Sequence, residues 1–405
     1  MTDEPSQPSA DDPFDGLRGT LKPQLRLFLS ADIVGSTAFK QRRDEDGWFD
    51  IVLRFYQYAE TSFMRHWNLG RGPVKTKQQQ HAALFGESPT LWKTIGDEVT
   101  FSKQITHPAQ VMTTLHAWIA ALDDLRALLM KNKQDQLDVK ASAWLADFPL
   151  RNREVALRVG VTDQPDDTER EDGWLTWRND SLLGQYPGKE GVHLIKDYVG
   201  PSIDTGFRLG ASASPRRLAI SVELAYVVAG EIINLENEDP IYKIASFQIR
   251  PLTLKYDQML PLKGVLGGAP YPMIWIDVLP REELHQFEDE LRGVAAAPAD
   301  KIRGFAGAYM KAHADKLCTL FMQHDPELPE EYGKFPVTKN HRLAEKEREL
   351  KSLHAKLDVE QEALAVEDKE LKSEQTNESA EPATGKRSLM DLRALLDNIK
   401  PELPV

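Results

Sequence analysis

Three stretches of this chain hold side chains whose types and spacing could do chemistry. The first is Ser30-Ala31-Asp32-Ile33-Val34-Gly35-Ser36-Thr37. An apolar run (Leu25 to Leu29) leads into it and small residues leave it, which predicts a strand, a tight turn and a helix start. The backbone N–H groups of Val34, Gly35, Ser36 and Thr37 would then form a cradle for phosphate. Asp32 beside that cradle could hold a divalent cation bridging phosphates. The plainer reading is a carboxylate ending a strand, with Ser36 and Thr37 capping a helix.

The second stretch is Lys93-Thr94-Ile95-Gly96-Asp97-Glu98-Val99-Thr100-Phe101. Two β-rich runs around Gly96-Asp97 read as a hairpin, and a Gly-Asp turn alone would explain that much. If the hairpin packs beside the first strand, Asp97 faces Asp32. Two carboxylates then bind one or two metal ions in the arrangement that serves in-line displacement at phosphorus. The third stretch runs from Asp197-Tyr198-Val199-Gly200-Pro201 through Asp204 to Arg208. Asp204 and Arg208, four apart, share one helical face. They are either an ordinary helix salt bridge or an arginine that meets charge developing on a phosphate.

The elements that must position these groups follow from periodicity. Strands are expected at 25–30, across 90–105 as the hairpin, at 138–147 and at 217–222, with three more short strands over 242–279. Helices are expected from Gly47 to about Met64, over 108–131, from 201 to 212, in a short piece after 222, and in two stretches over 282–324. Residues 68–89, with Lys75, Lys77 and Gln78–Gln80, read as a loop. The polar segment of about 148–192 reads as an insertion that folds back, because Val155 to Val161 alternates like a strand. The order β, α, β-β, α, β, insertion, α, β fits an α+β fold, a ferredoxin-like βαββαβ core with a mixed, largely antiparallel sheet and helices on one face.

The domain expectation is an unstructured N-terminus at 1–22, a main domain at 23–280, a helical extension at 281–325 and a charged tail at 326–405. In that tail leucines recur at 343, 350, 357, 364 and 371. A heptad seam would also need apolar residues at Glu347, His354, Gln361 and Asp368, so a charged helix docking on this chain or a partner is as good a reading as a coiled coil. A short amphipathic helix is expected at 388–399.

Composition narrows the class. The chain has 405 residues, 41% hydrophobic and 28% charged, with a net charge of −13. That charge speaks against a global nucleic-acid surface. One cysteine, Cys318, allows no intrachain disulfide and no cysteine-based zinc site, and is expected to pack in a C-terminal helix. The most apolar stretch is too short to insert in a membrane, and the acidic start is unlike a secretory signal, so the expected location is cytoplasmic. His193 and the Arg42-Arg43 pair lie near the motifs and read as structural and solvated.

In their order and wording the three stretches resemble the class III nucleotidyl cyclases, over roughly residues 25–280. The resemblance implies two divalent cations, Mg²⁺ or Mn²⁺, held by Asp32 and Asp97 with the Ile33 carbonyl assisting. It assigns base recognition to Lys93 and Asp197 and transition-state stabilisation to Arg208. The family has Asn where this chain has Asp204, and a carboxylate cannot donate a hydrogen bond unless protonated. It also implies a head-to-tail homodimer with composite sites, because each element occurs once in this chain.

A narrower resemblance rests on Lys140-Ala141-Ser142-Ala143-Trp144-Leu145-Ala146-Asp147-Phe148-Pro149, the long following insertion and the Asp-Tyr-Val-Gly-Pro-Ser string. These look like the bacterial pyrimidine cyclases of Pycsar antiphage systems. That resemblance implies a cyclic UMP or cyclic CMP signal on phage infection, acting on an effector encoded elsewhere. A lysine and an aspartate can read adenine, cytosine or uracil; UTP is taken as substrate and CTP as the next choice. The competing expectations are a conventional adenylyl cyclase and a degenerate cyclase that binds nucleotide as a scaffold.

Overall fold

The computed structural model describes residues 24–41, 47–72, 78–131, 137–148, 151–158, 179, 194–244, 248–293, 296–318 and 320. The chain divides into two compact units, Met1–Arg348 and Glu349–Val405, and every described residue belongs to the first. The expectations for 1–22, for the leucine repeat, for 388–399, for Arg42, Arg43, Lys75, Lys77 and His193, and for most of the insertion lie outside the described residues.

The centre of the fold is strand β1 (Gln24–Val34), which pairs antiparallel with both of its neighbours. One neighbour is β3 (Glu98–Ile105), joined to β2 (Thr90–Ile95) by the expected hairpin. The other is β4 (Asp138–Phe148). Beyond β4 lie β7 (Arg217–Ile220), β9 (Pro270–Asp277) and β8 (Leu254–Pro261), giving the order β2-β3-β1-β4-β7-β9-β8. Only β4 and β7 pair in parallel, so the sheet is mixed. Of the three strands expected over 242–279, the described residues contain two. Residues 240–244 form a 3₁₀ turn instead, and Pro240 and Pro251 have no N–H to give to a ladder.

Side chains alternate across β1. Leu25, Leu27, Leu29, Ala31 and Ile33 are buried in the main core, while Phe28 belongs to a separate aromatic cluster. A central strand covered on both sides is therefore apolar on both faces, which is why β1 reads as a continuous run rather than an alternation.

Long helices cover the first face. They are α2 (Gly47–Arg71), α4 (Ala109–Lys131) and α6 (Val222–Glu236). Phe63 of α2 meets Phe101 of β3 and Trp118 of α4 edge-on, at 5.2 and 4.9 Å between ring centroids. Before α2 stands the five-residue α1 (Ser36–Lys40), and after it α3 (Gln78–Phe85). α3 occupies part of the stretch expected to be a loop, and α2 extends past Met64. The 68–89 region is held by tertiary contacts. Trp67 packs edge-on against Phe85 at 5.5 Å, and buried Lys103 donates to the Phe85 carbonyl at 2.7 Å.

On the other face, the ribbon of β5 (Arg153–Arg158) and β6 (Leu194–Val199) leads into α5 (Pro201–Leu209). The backfolding strand expected from Val155 is thus real, but it pairs with β6 in a two-stranded ribbon separate from the main sheet. The chain continues through α7 (Glu283–Arg292) and α8 (Ala299–Ala312). Cys318 is buried beyond the end of α8 rather than within a helix, and its backbone N–H donates to Glu223 at 3.1 Å.

Candidate active site

The register of β1 builds the first half of the site. Asp32 stands opposite Glu98 on β3 and opposite Lys140 on β4. All three occupy the face that carries Phe28 further along the strand. The β2–β3 turn, with Gly96 at a φ of 66°, places Asp97 one residue from Glu98 and in contact with the Asp32 carboxyl. Tyr56 of α2 donates from its hydroxyl to the Gly96 carbonyl and ties the turn to the helix. The two carboxylates expected to meet are brought together.

Each carboxylate carries its own ammonium. Lys140 Nζ lies 3.1 Å from Asp32 Oδ2, and Lys40 Nζ lies 3.1 Å from Asp97 Oδ1. The Ser36 hydroxyl donates to Asp97, and the Ser30 hydroxyl donates to Glu98. Burial pushes the Asp32 carboxyl above the usual carboxylate range; Lys140 pulls the other way and neighbouring Asp97 adds to the rise. Burial also pushes on Asp97, but its bonds from Ser36 and Lys40 outweigh it and hold that carboxyl below the usual range. Glu98 is raised by burial first, against its bond from Ser30. One acid of the pair is thus stabilised as the anion more strongly than the other.

The donor set fits a hard divalent cation. Carboxylate and backbone oxygens suit Mg²⁺ and Mn²⁺. Pairing of β1 with β3 ends at Asp32, so the Ile33 backbone lies just past that ladder. Among the described residues no three His, Cys, Asp or Glu side chains gather as a metal cluster. The protein would therefore supply two carboxylates and leave the remaining positions to backbone, water or phosphate oxygens, which is how Mg²⁺ is ordinarily held.

The expected phosphate cradle takes a different form. Val34 is the last residue of β1, opposite Asp138, and α1 begins only at Ser36. Gly35 precedes it at a φ of 83°, a left-handed conformation that suits glycine. No side chain caps this helix, because its N-cap is Gly35, and the Ser36 hydroxyl is bonded to Asp97. Thr37 is exposed.

The second half of the site lies on β2, β6 and α5. Lys93 Nζ is 2.8 Å from Asp197 Oδ1, so the paired residues expected from the sequence do meet. Asp197 sits on β6. Gly200 precedes α5 at a φ of 140°, and Asn152 locks this corner. The Asn152 amide donates to the Asp147 carbonyl at 3.0 Å and to Ser202 Oγ at 3.1 Å, and its Oδ1 accepts from the Ser202 N–H at 3.0 Å. Asp204 and Arg208 project from α5 and are exposed. Among the described residues no ion pair or hydrogen bond links them to each other or to either pair, so the helix salt bridge does not form.

Beneath α5 the aromatic cluster is dense. Phe28 stacks on Trp144 at 5.4 Å and 9° between planes, and Trp144 meets Phe207 at 5.4 Å. Gly206 faces Trp144 so closely that a Cβ there would overlap the indole.

Sequence reasoning missed Lys40, Lys140, Ser30 and Trp92 as site residues. Lys40 follows Ser36 by one helical turn, and Trp92 adjoins Lys93; those spacings were readable. Lys140 becomes a neighbour of Asp32 only through the β1–β4 register.

No family model matches this chain, and no curated protein matches it. Among solved structures it is similar to the adenylyl cyclase CyaB from P. aeruginosa, at 9% identity and a TM-score of 0.39, covering 63% of this chain and 94% of that one. It is also similar to the guanylate cyclase domain of RhGC from Catenaria anguillulae in complex with GTP, at 9% identity and a TM-score of 0.37, covering 63% and 97%. A third is the non-canonical dimeric guanylyl cyclase domain of the RhoGC fusion protein from the aquatic fungus Blastocladiella emersonii, at 9% identity and a TM-score of 0.34, covering 63% and 97%.

Proposed function

We propose that this protein is a nucleotidyl cyclase of the class III kind. The observation that carries the reading is the contact between Asp32 and Asp97, an all-oxygen pair at the meeting of β1 and the β2–β3 turn. A separate Lys93–Asp197 pair stands further along the same hairpin strand. Within that class we assign it to the pyrimidine cyclases, converting UTP to 3′,5′-cyclic UMP and pyrophosphate, with CTP the next substrate. Trp92 and Phe207, 5.9 Å apart, flank the Lys93 ammonium, and the choice of a pyrimidine rests on the sequence resemblance. The biological role that goes with this activity is a second messenger for Pycsar antiphage defence, acting in the cytoplasm on an effector encoded elsewhere.

Two divalent cations held by Asp32 and Asp97 would neutralise the triphosphate and acidify the ribose 3′-hydroxyl. The 3′-oxygen, its proton given up to solvent, would then bond to the α-phosphorus as the bond to the bridging oxygen of the β-phosphate breaks and pyrophosphate leaves. The residues at 34–37 lie beside the carboxylates, where backbone N–H groups can receive phosphate oxygens. Arg208 would meet the charge that grows on the α-phosphate. Exposed, and with no side-chain bond among the described residues, it is available to a substrate held against a second copy of the chain. That fits a homodimer with composite sites.

The test is a product assay. Full-length protein is incubated with ATP, GTP, CTP and UTP separately, plus Mn²⁺, and products are identified by mass spectrometry beside Asp97→Ala. Cyclic UMP or cyclic CMP, lost in the variant, is the expected result. Cyclic AMP alone would make it a conventional adenylyl cyclase. No product from any nucleotide, with infected-cell lysate added, would favour a nucleotide-binding scaffold.

A further inference from the structure

The Lys93–Asp197 pair is held by a third side chain. Trp92 Nε1 donates to Asp197 Oδ1 at 3.0 Å, beside Lys93 Nζ at 2.8 Å and the Tyr198 backbone N–H at 2.9 Å. All three donors reach the same oxygen. Among the described residues no hydrogen bond goes to Oδ2. In a regular strand Trp92 and Lys93 would point to opposite faces. Here the register of β2 against β3 slips between Leu91 and Lys93, as in a β-bulge, and both side chains reach Asp197. The Lys93 ammonium also sits 4.2 Å from the centre of the Trp92 ring, close enough for a cation–π contact. Trp92 is itself braced by Phe28 and Tyr198, each 5.2 Å away and edge-on.

We propose that Trp92 is a positioning residue for base recognition: with Lys93 and the Tyr198 amide it saturates one oxygen of Asp197 and reserves Oδ2 for an N–H of the nucleobase. The proposal rests on the cyclase reading and deepens it. Three donors fix the carboxylate plane. The carboxylate then cannot rotate to follow a base whose edge is out of register, and selectivity among bases is set by Oδ2 and by the N–H bonds that Lys93 keeps free. Removing the indole N–H frees that rotation while leaving the charges of Lys93 and Asp197 in place.

The experiment is equilibrium binding by calorimetry with the full-length chain and Mg²⁺. Four non-cyclisable 3′-deoxynucleoside triphosphates are compared with inorganic tripolyphosphate, in wild type, Trp92→Phe, Asp197→Ala and the double variant. Trp92→Phe keeps an aromatic ring in the cluster and drops the donor together with part of the ring's bulk. The expected result is a Kd for the preferred nucleotide weakened about tenfold, the scale of one hydrogen bond to a charged group. The spread of Kd among the four bases narrows by a similar factor, tripolyphosphate binding is unchanged, and Trp92→Phe adds nothing in the Asp197→Ala background. Unchanged base preference in Trp92→Phe overturns the inference alone. A tripolyphosphate Kd weakened as much as the nucleotide's also overturns it, since the loss would then be general. If wild type binds none of the four nucleotides, this inference and the cyclase reading both fall.

Discussion

Asp32 and Asp97 lie in contact, yet their carboxyls are driven in opposite directions: burial raises the first, while Ser36 and Lys40 hold the second down. Their types and the strings around them were legible in the sequence. Their ammonium partners were not, because Lys140 is more than a hundred positions from Asp32 and meets it only across a strand pair. Lys103 gives the clearest pH signature in the molecule. Burial pushes its ammonium down to about 7, well below the usual 10.5. Between those values the unfolded chain binds the proton and the folded one does not, so stability rises with pH through that window. Below about 7 both states are protonated and the cost of the buried charge is fully present. The melting temperature of wild type minus that of Lys103→Met should therefore climb as pH increases from 7 toward 10 and stay level below 7, read by scanning calorimetry. A level difference throughout would mean that Lys103 keeps its proton in the fold.

At the scale of elements, α5 is positioned by contacts with β4. Its N-terminus is bonded to Asn152, and its middle rests through Gly206 on Trp144. Gly206→Ala forces the helix off the indole. The expected cost is about 1–3 kcal/mol, the usual range for overpacking a tight contact. Because Arg208 rides on the same helix, cyclase activity should fall further than stability does. Urea unfolding and initial rates on one preparation would check both, and an unaltered unfolding midpoint would remove Trp144 as the seat of α5. Helices and strands were mostly readable from periodicity. The misses share a cause. α3 is held by Trp67, His81 and Lys103, and β6 exists because β5 pairs with it, so neither has a strong local signature.

For the whole molecule, the proposed pairing of two copies has a direct test. The carboxylate pair is compensated within the chain, whereas Asp204 and Arg208 are exposed and their side chains make no bond among the described residues. If each site takes its metal carboxylates from one copy and Arg208 from the other, two inactive variants should complement. Mixing equal amounts of Asp97→Ala and Arg208→Ala leaves half the dimers mixed, each with one intact site, so activity should return to about a quarter of wild type. Sites contained within one copy would give no recovery, and the rate assay used for product identification distinguishes the two.

The sequence by itself determined most of the element types and the βαββαβ order. These depend on local spacing: period two in strands, 3.6 in helices, and Gly-Asp or Gly-Pro at turns. It also determined that Lys93 and Asp197 could be a reading pair. Only the tertiary structure decided which groups touch. It set Lys140 against Asp32 through strand register and turned Ser36 from helix cap to partner of Asp97. It left Arg208 without the salt bridge its spacing offered, and through an irregular strand it gave Trp92 a place at Asp197. The reason is physical. Spacing along the chain sets what a segment can form, but hydrogen bonds between distant residues depend on which strands pair and in what register, and that is settled only when the core packs.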